Sequence, residues 1–363
     1  MYFALTDEQR ALQETVRRLL AERFPLSAVR EVYDDPAGDG DPPQLWKAVG
    51  AQGWLAVLVP EEHDGLGLGL LDAAVIARCW GAGCAPGPWL PTLVATEALR
   101  LAGDPGQLAA WLPRAAAGEV RLAPAVDRGD VTARGERLSG TAAHVEYAHV
   151  ADRLVVAAGQ DEPGGESGLW LVDPKAGAVR VTRHDALDRS TRLATVTFDG
   201  APAERLPGGS ETVRSDVLDR AAVLYANDLV GVARAALART VAYDTQREQF
   251  GRPVGSFQAV KHALADLHVG VTMAEHGALH AAHAVDEALP DARLAVSIAK
   301  AKASDVARDA TAAMIQYHGG IGYTWEHDAH LFFKRAKREE YAYGDAATHR
   351  ERIARLVVDG ARP

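Results

Sequence analysis

The sequence predicts an α+β fold in three parts: an N-terminal α-helical domain over residues 1–118, a middle β domain over 119–206 and a C-terminal four-helix bundle over 207–363. Three observations carry this. Apolar residues recur at helical spacing up to about Ala117. They alternate or fall in short runs from Gly118 to Leu206, and the helical period then returns and persists. With 363 residues, 48% of them hydrophobic and 24% charged, the chain has enough apolar surface for a substantial core and is not of disordered composition.

Thr6 with Gln9 three residues on is a capping-box pattern, and Leu12, Val16, Leu19 and Leu20 continue it as a helix. Pro25, Pro36, Pro42 and Pro43 break the pattern, and a second helix is expected near Leu45. Gly65, Gly67 and Gly69 make a turn after Pro60. Helical stretches follow from Leu70 to about Trp80 and from about Leu93, past Pro91, to Ala117. The runs Leu154-Val155-Val156, Leu169 to Val172 and Leu193 to Phe198 read as strands. They are punctuated by Asp161 to Gly165, Asp173-Pro174 and Asp199-Gly200. Long helices are expected over Val213 to Gln246, Phe257 to Ala288 and Ala292 to His318, and a last one over Ala346 to Val358. The Ala-rich middle ones suit an oligomer core.

The formal net charge of −10 argues against nucleic acid or an anionic membrane as the main partner, although a local basic pocket can still receive an anion. Cys79 and Cys84 are too few for a disulfide framework and lie in apolar sequence, which predicts buried free thiols. The segment Met1 to Thr6 runs into Asp7-Glu8-Gln9-Arg10 with no basic stretch followed by an apolar run. No signal peptide is therefore expected, and the chain reads as cytoplasmic. His144, His149 and His184 lack metal-ligand spacing. The run Lys334-Arg335 with Lys337-Arg338, beside Glu339-Glu340, reads as a solvated, self-paired face.

Three blocks carry more specific chemistry. The first is Tyr243, Arg247-Glu248-Gln249-Phe250-Gly251 and Phe257-Gln258. The second is Gln316-Tyr317-His318-Gly319-Gly320-Ile321-Gly322-Tyr323 with Glu326. The third is Pro60-Glu61-Glu62 with Gly65, Gly67 and Gly69. In register, they resemble the acyl-CoA dehydrogenase family over essentially the whole chain. The resemblance implies the three-part fold, a tetramer, and FAD shared across a subunit interface. On the same ground Arg247, a planar fork of donors, is assigned to the diphosphate, with Phe250, Phe257, Gln258, Gln316 and Asp345 around the dinucleotide. Gly319 and Gly320 would let the backbone approach it, with no Cβ in the way.

The family's reaction removes the α proton of an acyl thioester as the β hydride passes to the flavin, and it needs a carboxylate base. Carried over from Gly319-Gly320 without gaps, the base position is Tyr343, followed by Gly344. A phenol ionises near pH 10 and is a poor base at neutral pH. The alternative base position of a minority of the family is Ala221. Asp219 matches an Asp of the segment that contacts the CoA tail, but Ala222 stands where its basic companion belongs and Arg220 is only nearby. The flavin-cradling loop corresponds to Ala123 to Asp130 and is unlike the family pattern. Leu138-Ser139-Gly140-Thr141 matches in form, and the flavin-stacking position is His144.

Groups that hold a flavin within the chain's own subunit are thus eroded, and those that reach a neighbour's flavin are kept. The pattern, with Gly344-Asp345-Ala346-Ala347, His349 and Arg350, resembles the base-lacking subunit of actinobacterial α2β2 acyl-CoA dehydrogenases acting on steroid side chains. The leading expectation is therefore a subunit that takes part in FAD-dependent dehydrogenation of an acyl-CoA or acyl-carrier thioester together with a homologous partner. Two other readings stand beside it: a self-sufficient enzyme with a relocated base, Asp345 or Asp219, and a flavin-free binding or scaffold protein. Asp345 is also the natural N-cap of the last helix.

Overall fold

The computed structural model describes residues 4–160, 167–358 and 360. The turn expected over Asp161 to Gly165 and the first residues of the segment Met1 to Thr6 lie outside them. The helices are α1 (Asp7–Arg23), α2 (Leu26–Asp34), α3 (Pro43–Ala51), α4 (Leu70–Ala82), α5 (Trp89–Ala102), α6 (Pro105–Ala116), α7 (Glu211–Gln246), α8 (Gln258–Asp286), α9 (Ala292–Tyr317), α10 (Ala329–Glu339) and α11 (Ala346–Val357). The strands are β1 (Leu122–Ala125), β2 (Gly129–Arg134), β3 (Arg137–Glu146), β4 (Arg153–Gln160), β5 (Gly168–Val172), β6 (Val179–Arg183), β7 (Leu193–Leu206), β8 (Glu248–Gln249) and β9 (Arg252–Pro253).

The helix–strand–helix order is the one expected, and the capping box forms: Thr6 Oγ1 accepts from the Gln9 amide and Gln9 Oε1 from the Thr6 amide, both at 3.2 Å. Three local readings are corrected. α2 forms between the prolines, where the sequence reading had a break, and it buries Val29 and Tyr33. The single stretch expected from Leu93 to Ala117 is two helices, because Asp104 caps α6 and Pro105 opens it. α5 begins before Pro91, which sits in its first turn, where a missing N–H breaks no helix bond. α10 was not anticipated; its charges concealed an apolar face.

The chain divides into two compact units. The one formed by residues 31–69 and 86–221 contains β1 to β7. β4 pairs with β2 and β5, β2 with β3, and β3 and β5 both with β7, so the ring of pairings closes and leaves β1 and β6 as flanking strands. Leu138, Leu154, Val156, Trp170, Val196 and Phe198 fill its core. β3 is irregular between Ala142 and Val145, and His144 takes a left-handed backbone there (φ 57°), as a bulge requires.

The other unit is formed by residues 1–30, 70–85 and 222–363 and is helical. α7 is long and apolar enough by length and composition to cross a membrane, but 83% of its apolar window is buried in the protein, as befits a core helix. α4 and α7 cross at glycines. A Cβ on Gly81 would lie 2.0 Å from the Asp228 carbonyl oxygen, and one on Gly231 2.0 Å from that of Arg78. Gly231→Ala should therefore force the two backbones apart and destabilise the fold by about 3 kcal/mol, read as a lowered denaturant midpoint; an unchanged midpoint would show that the crossing is loose.

Candidate functional site

In the helical unit, α7 ends at Gln246 and the chain turns through the β8–β9 hairpin, closed by Val254 N–H to Arg247 O at 2.7 Å. Phe250 at the tip has φ 54° and is 92% exposed, and Arg247 and Gln258 are exposed beside it. Phe257 receives the Phe250 ring edge-on at 6.2 Å and the Arg252 guanidinium over its face at 4.0 Å. Tyr243, one turn before Arg247, stacks on His318 at 4.4 Å, and His318 immediately precedes Gly319-Gly320. One ring contact thus brings the two sequence blocks together. A Cβ on Gly251, Gly319 or Gly320 would meet nothing within 4 Å, and Gln316 and Tyr323 are exposed. An arginine, two amides, exposed rings and unobstructed backbone make a surface able to take the diphosphate and adenosine part of a dinucleotide.

Tyr343 lies in a turn built with unusual care. Its backbone is left-handed (φ 54°), as is that of Gly344 (φ 94°). Buried Lys300 donates to the carbonyls of Glu339 (3.1 Å), Glu340 (3.1 Å) and Gly344 (2.9 Å), so one ammonium gathers the end of α10 and the turn after it. His349 Nε2 lies 2.9 Å from the Tyr343 carbonyl oxygen. The Tyr343 ring packs on Tyr225, which is fully buried, at 4.9 Å. Asp345 is the N-cap of α11: its Oδ1 accepts from the Thr348 amide at 2.8 Å and the Thr348 hydroxyl at 2.7 Å. Those bonds hold its carboxyl below the usual range, the opposite of what a base requires.

In the β-containing unit, Asp219 and Ala221 are buried. Arg220 is committed inward, 3.1 Å from buried Glu97, which Arg100 also grips at 2.7 Å. β1 is buried throughout, so the start of the stretch Ala123 to Asp130 is core rather than a polar cradle. His149 Nε2 meets the Asp39 carbonyl (3.0 Å) while its buried Nδ1 has no partner, His184 Nε2 meets the Thr195 hydroxyl (2.8 Å), and no metal-ligand cluster occurs among the described residues. Cys79 and Cys84 are buried free thiols.

The basic run on α10 corrects the sequence reading. Lys337 with Glu340 and Arg338 with Glu339 do self-pair, but Arg335 is only 1% exposed. It grips buried Asp228 of α7 with two bonds, at 2.9 and 2.7 Å, and the Ala85 carbonyl at 2.9 Å, with Glu339 at 3.2 Å. Burial and the adjacent Asp228 push Glu339 well above the carboxylate range, while the two acids keep Arg335 firmly charged against the cost of burial. The available signals were Asp228 inside an apolar helix and Glu339 four residues after Arg335. Arg335→Met would leave Asp228 buried without a counter-charge and should cost about 3–5 kcal/mol in denaturant unfolding.

Asp244 is also buried, and neither of its oxygens, nor the hydroxyl of nearby Ser256, has a hydrogen-bond partner. Burial alone raises its carboxyl to about 6 from an ordinary 3.8.

Sequence comparison is consistent with this geometry. The family profile for the acyl-CoA dehydrogenase N-terminal domain matches residues 6–119, and that for the C-terminal domain residues 208–358. Acyl-CoA dehydrogenase IpdE2 of Mycolicibacterium smegmatis is 32% identical over 98% of this chain and 99% of its own length. A variant of the Tcur3481-Tcur3483 steroid ACAD superposes with a TM-score of 0.89 at 30% identity, covering 98% of this chain and 99% of that one. The ChsE4-ChsE5 complex of Mycobacterium tuberculosis does so with 0.90 at 27%, covering 99% of each. The chain belongs to the acyl-CoA dehydrogenase family, whose members are flavoproteins that bind FAD.

The orphaned Asp244 has a measurable consequence. Its folded value exceeds its unfolded one, so its contribution favours the fold at low pH and is lost as pH rises from 3.8 to about 6. Asp244→Asn should therefore gain about 2–3 kcal/mol relative to the parent between acid and neutral pH. Urea unfolding of both proteins across that range checks this, and parallel pH profiles would refute it.

Proposed function

We propose that this chain is the subunit without a catalytic base in a heteromeric acyl-CoA dehydrogenase, and that it completes a flavin site carried mainly by a homologous partner. The observation that carries the reading is the pairing of two facts. The position that the family resemblance assigns to the base holds Tyr343, its ring packed on Tyr225, while the hairpin around Arg247 presents its groups outward with Phe250 92% exposed. A hairpin that projects a bare aromatic ring and an arginine suits a ligand or surface outside this chain. The names of the steroid ACAD pair and of the ChsE4-ChsE5 complex support a two-chain assembly. The cytoplasm is the expected setting.

In this reading Arg247 holds the diphosphate, Gln258 and Gln316 take polar positions along the adenosine half, and Phe250 and Phe257 wall it. Gly319 and Gly320 let the backbone approach. When bound, FAD supplies the acceptor for the β hydride of the acyl thioester. This chain's residues bind and orient it and exclude water, and the proton leaves the substrate to a carboxylate of the partner. Asp345 caps α11, and Gly344 is held by Lys300.

In the assembled enzyme, Arg247→Ala should lower FAD affinity by roughly 10- to 100-fold, the equivalent of losing charge-assisted bonds, with the complex still intact by mass. Tyr343→Phe should leave turnover unchanged. Loss of turnover in Tyr343→Phe, or retained FAD affinity in Arg247→Ala, would overturn the proposal.

A further inference from the structure

The helical unit contains a cavity of about 190 Å³ unconnected with the residues assigned above to the dinucleotide. Arg17 of α1, Arg78 of α4 and Arg234 of α7 line it, and Ala82, Gly231 and Ala235 form an apolar wall. The glycine crossing of α4 and α7 fixes that wall, since neither helix can shift without collision.

Charge is unbalanced here. Arg78 is 2% exposed; it donates to Glu275 at 2.8 Å and to Asn227 at 2.9 Å, and its buried Nε has no partner. Arg234 reaches the other oxygen of the same Glu275. Arg17, itself exposed, forms no ion pair among the described residues and lies beside the Cys79 thiol; Glu14, three residues before it on α1, is exposed as well and also acts on that thiol. Three guanidinium groups thus share one contacting carboxylate. Around Arg335, by contrast, the guanidinium groups of Arg335 and Arg338 meet two acids, Asp228 and Glu339. An excess of cation beside a concave apolar wall, in a chain of net charge −10, is a local reversal of sign that selects an anion.

We propose that this cavity binds a small organic carboxylate. Arg17 and Arg234 grip the carboxylate at the mouth, and a short aliphatic body lies on Ala82 and Ala235. Planar forks of donors match a carboxylate, and the apolar wall favours hydrocarbon over a fully hydrated inorganic anion.

Calorimetric titration of the full chain with pentanoate, inorganic phosphate and the neutral amide butyramide tests this. Saturable binding of pentanoate is expected, with phosphate weaker and butyramide inert. The double variant Arg17→Ala/Arg234→Ala, altered only at exposed side chains, should melt as the parent does without ligand and bind pentanoate roughly tenfold or more weakly, as expected for loss of charge-assisted bonds. If the double variant unfolds, Arg17→Glu alone should abolish binding by reversing one charge at the mouth. Absence of saturation in the parent, equal binding by the variants, or equal binding of butyramide would overturn the site. Tighter binding of phosphate than of pentanoate would overturn the carboxylate assignment.

Discussion

The bidentate pair between Arg335 and Asp228 is the constraint on which the helical unit depends. It is dry, doubly bonded and backed by Glu339, and it ties α10 to the middle of α7. With α10 fixed, its last carbonyls face Lys300, and that ammonium also takes the carbonyl of Gly344. The turn bearing Tyr343 is therefore held by buried charge rather than by loop sequence. Breaking either partner strands a charge in low dielectric, and at the turn itself the Lys300 and His349 contacts hold two left-handed residues in succession.

That rigidity gives the residue at position 343 its meaning in the proposed reading. A turn this well supported places whatever side chain occurs at 343 in one place, and here it is a phenol stacked on a buried tyrosine. In the proposed reading this turn is the framework for the base, and it persists without a carboxylate. On the same unit the hairpin after α7 keeps an arginine, amides and bare glycine backbone directed outward, held near the Gly319-Gly320 turn by the stacking of Tyr243 on His318. On the proposed reading, a chain that presents such groups and lacks the base is suited to complete a site in another chain.

Much of this was legible in the sequence, because long helices advertise their period and Gly-Gly stops advertise their ends. α2 was not, since nine residues between prolines carry too little periodicity to stand against the breakers. The split between α5 and α6 lay in one capping residue, Asp104, that a continuous apolar pattern conceals. The misreading of Arg335 has a different cause. A basic run looks solvated until a buried acid is found 107 residues away, and that pairing is a property of the fold. Lys300 was hidden likewise, because three of its partners are backbone carbonyls, which no sequence displays. The inward commitment of Arg220 to Glu97 and the left-handed backbone at His144 also arise only from tertiary geometry.

The most direct test of the central claim is the flavin content and dehydrogenase activity of this chain purified alone, set against the same chain co-purified with a homologue that carries the carboxylate, with masses recorded for both. The account predicts a nearly colourless, inactive protein alone and a yellow, active two-chain complex. A lone chain that retains stoichiometric FAD and oxidises acyl thioesters by itself would contradict it.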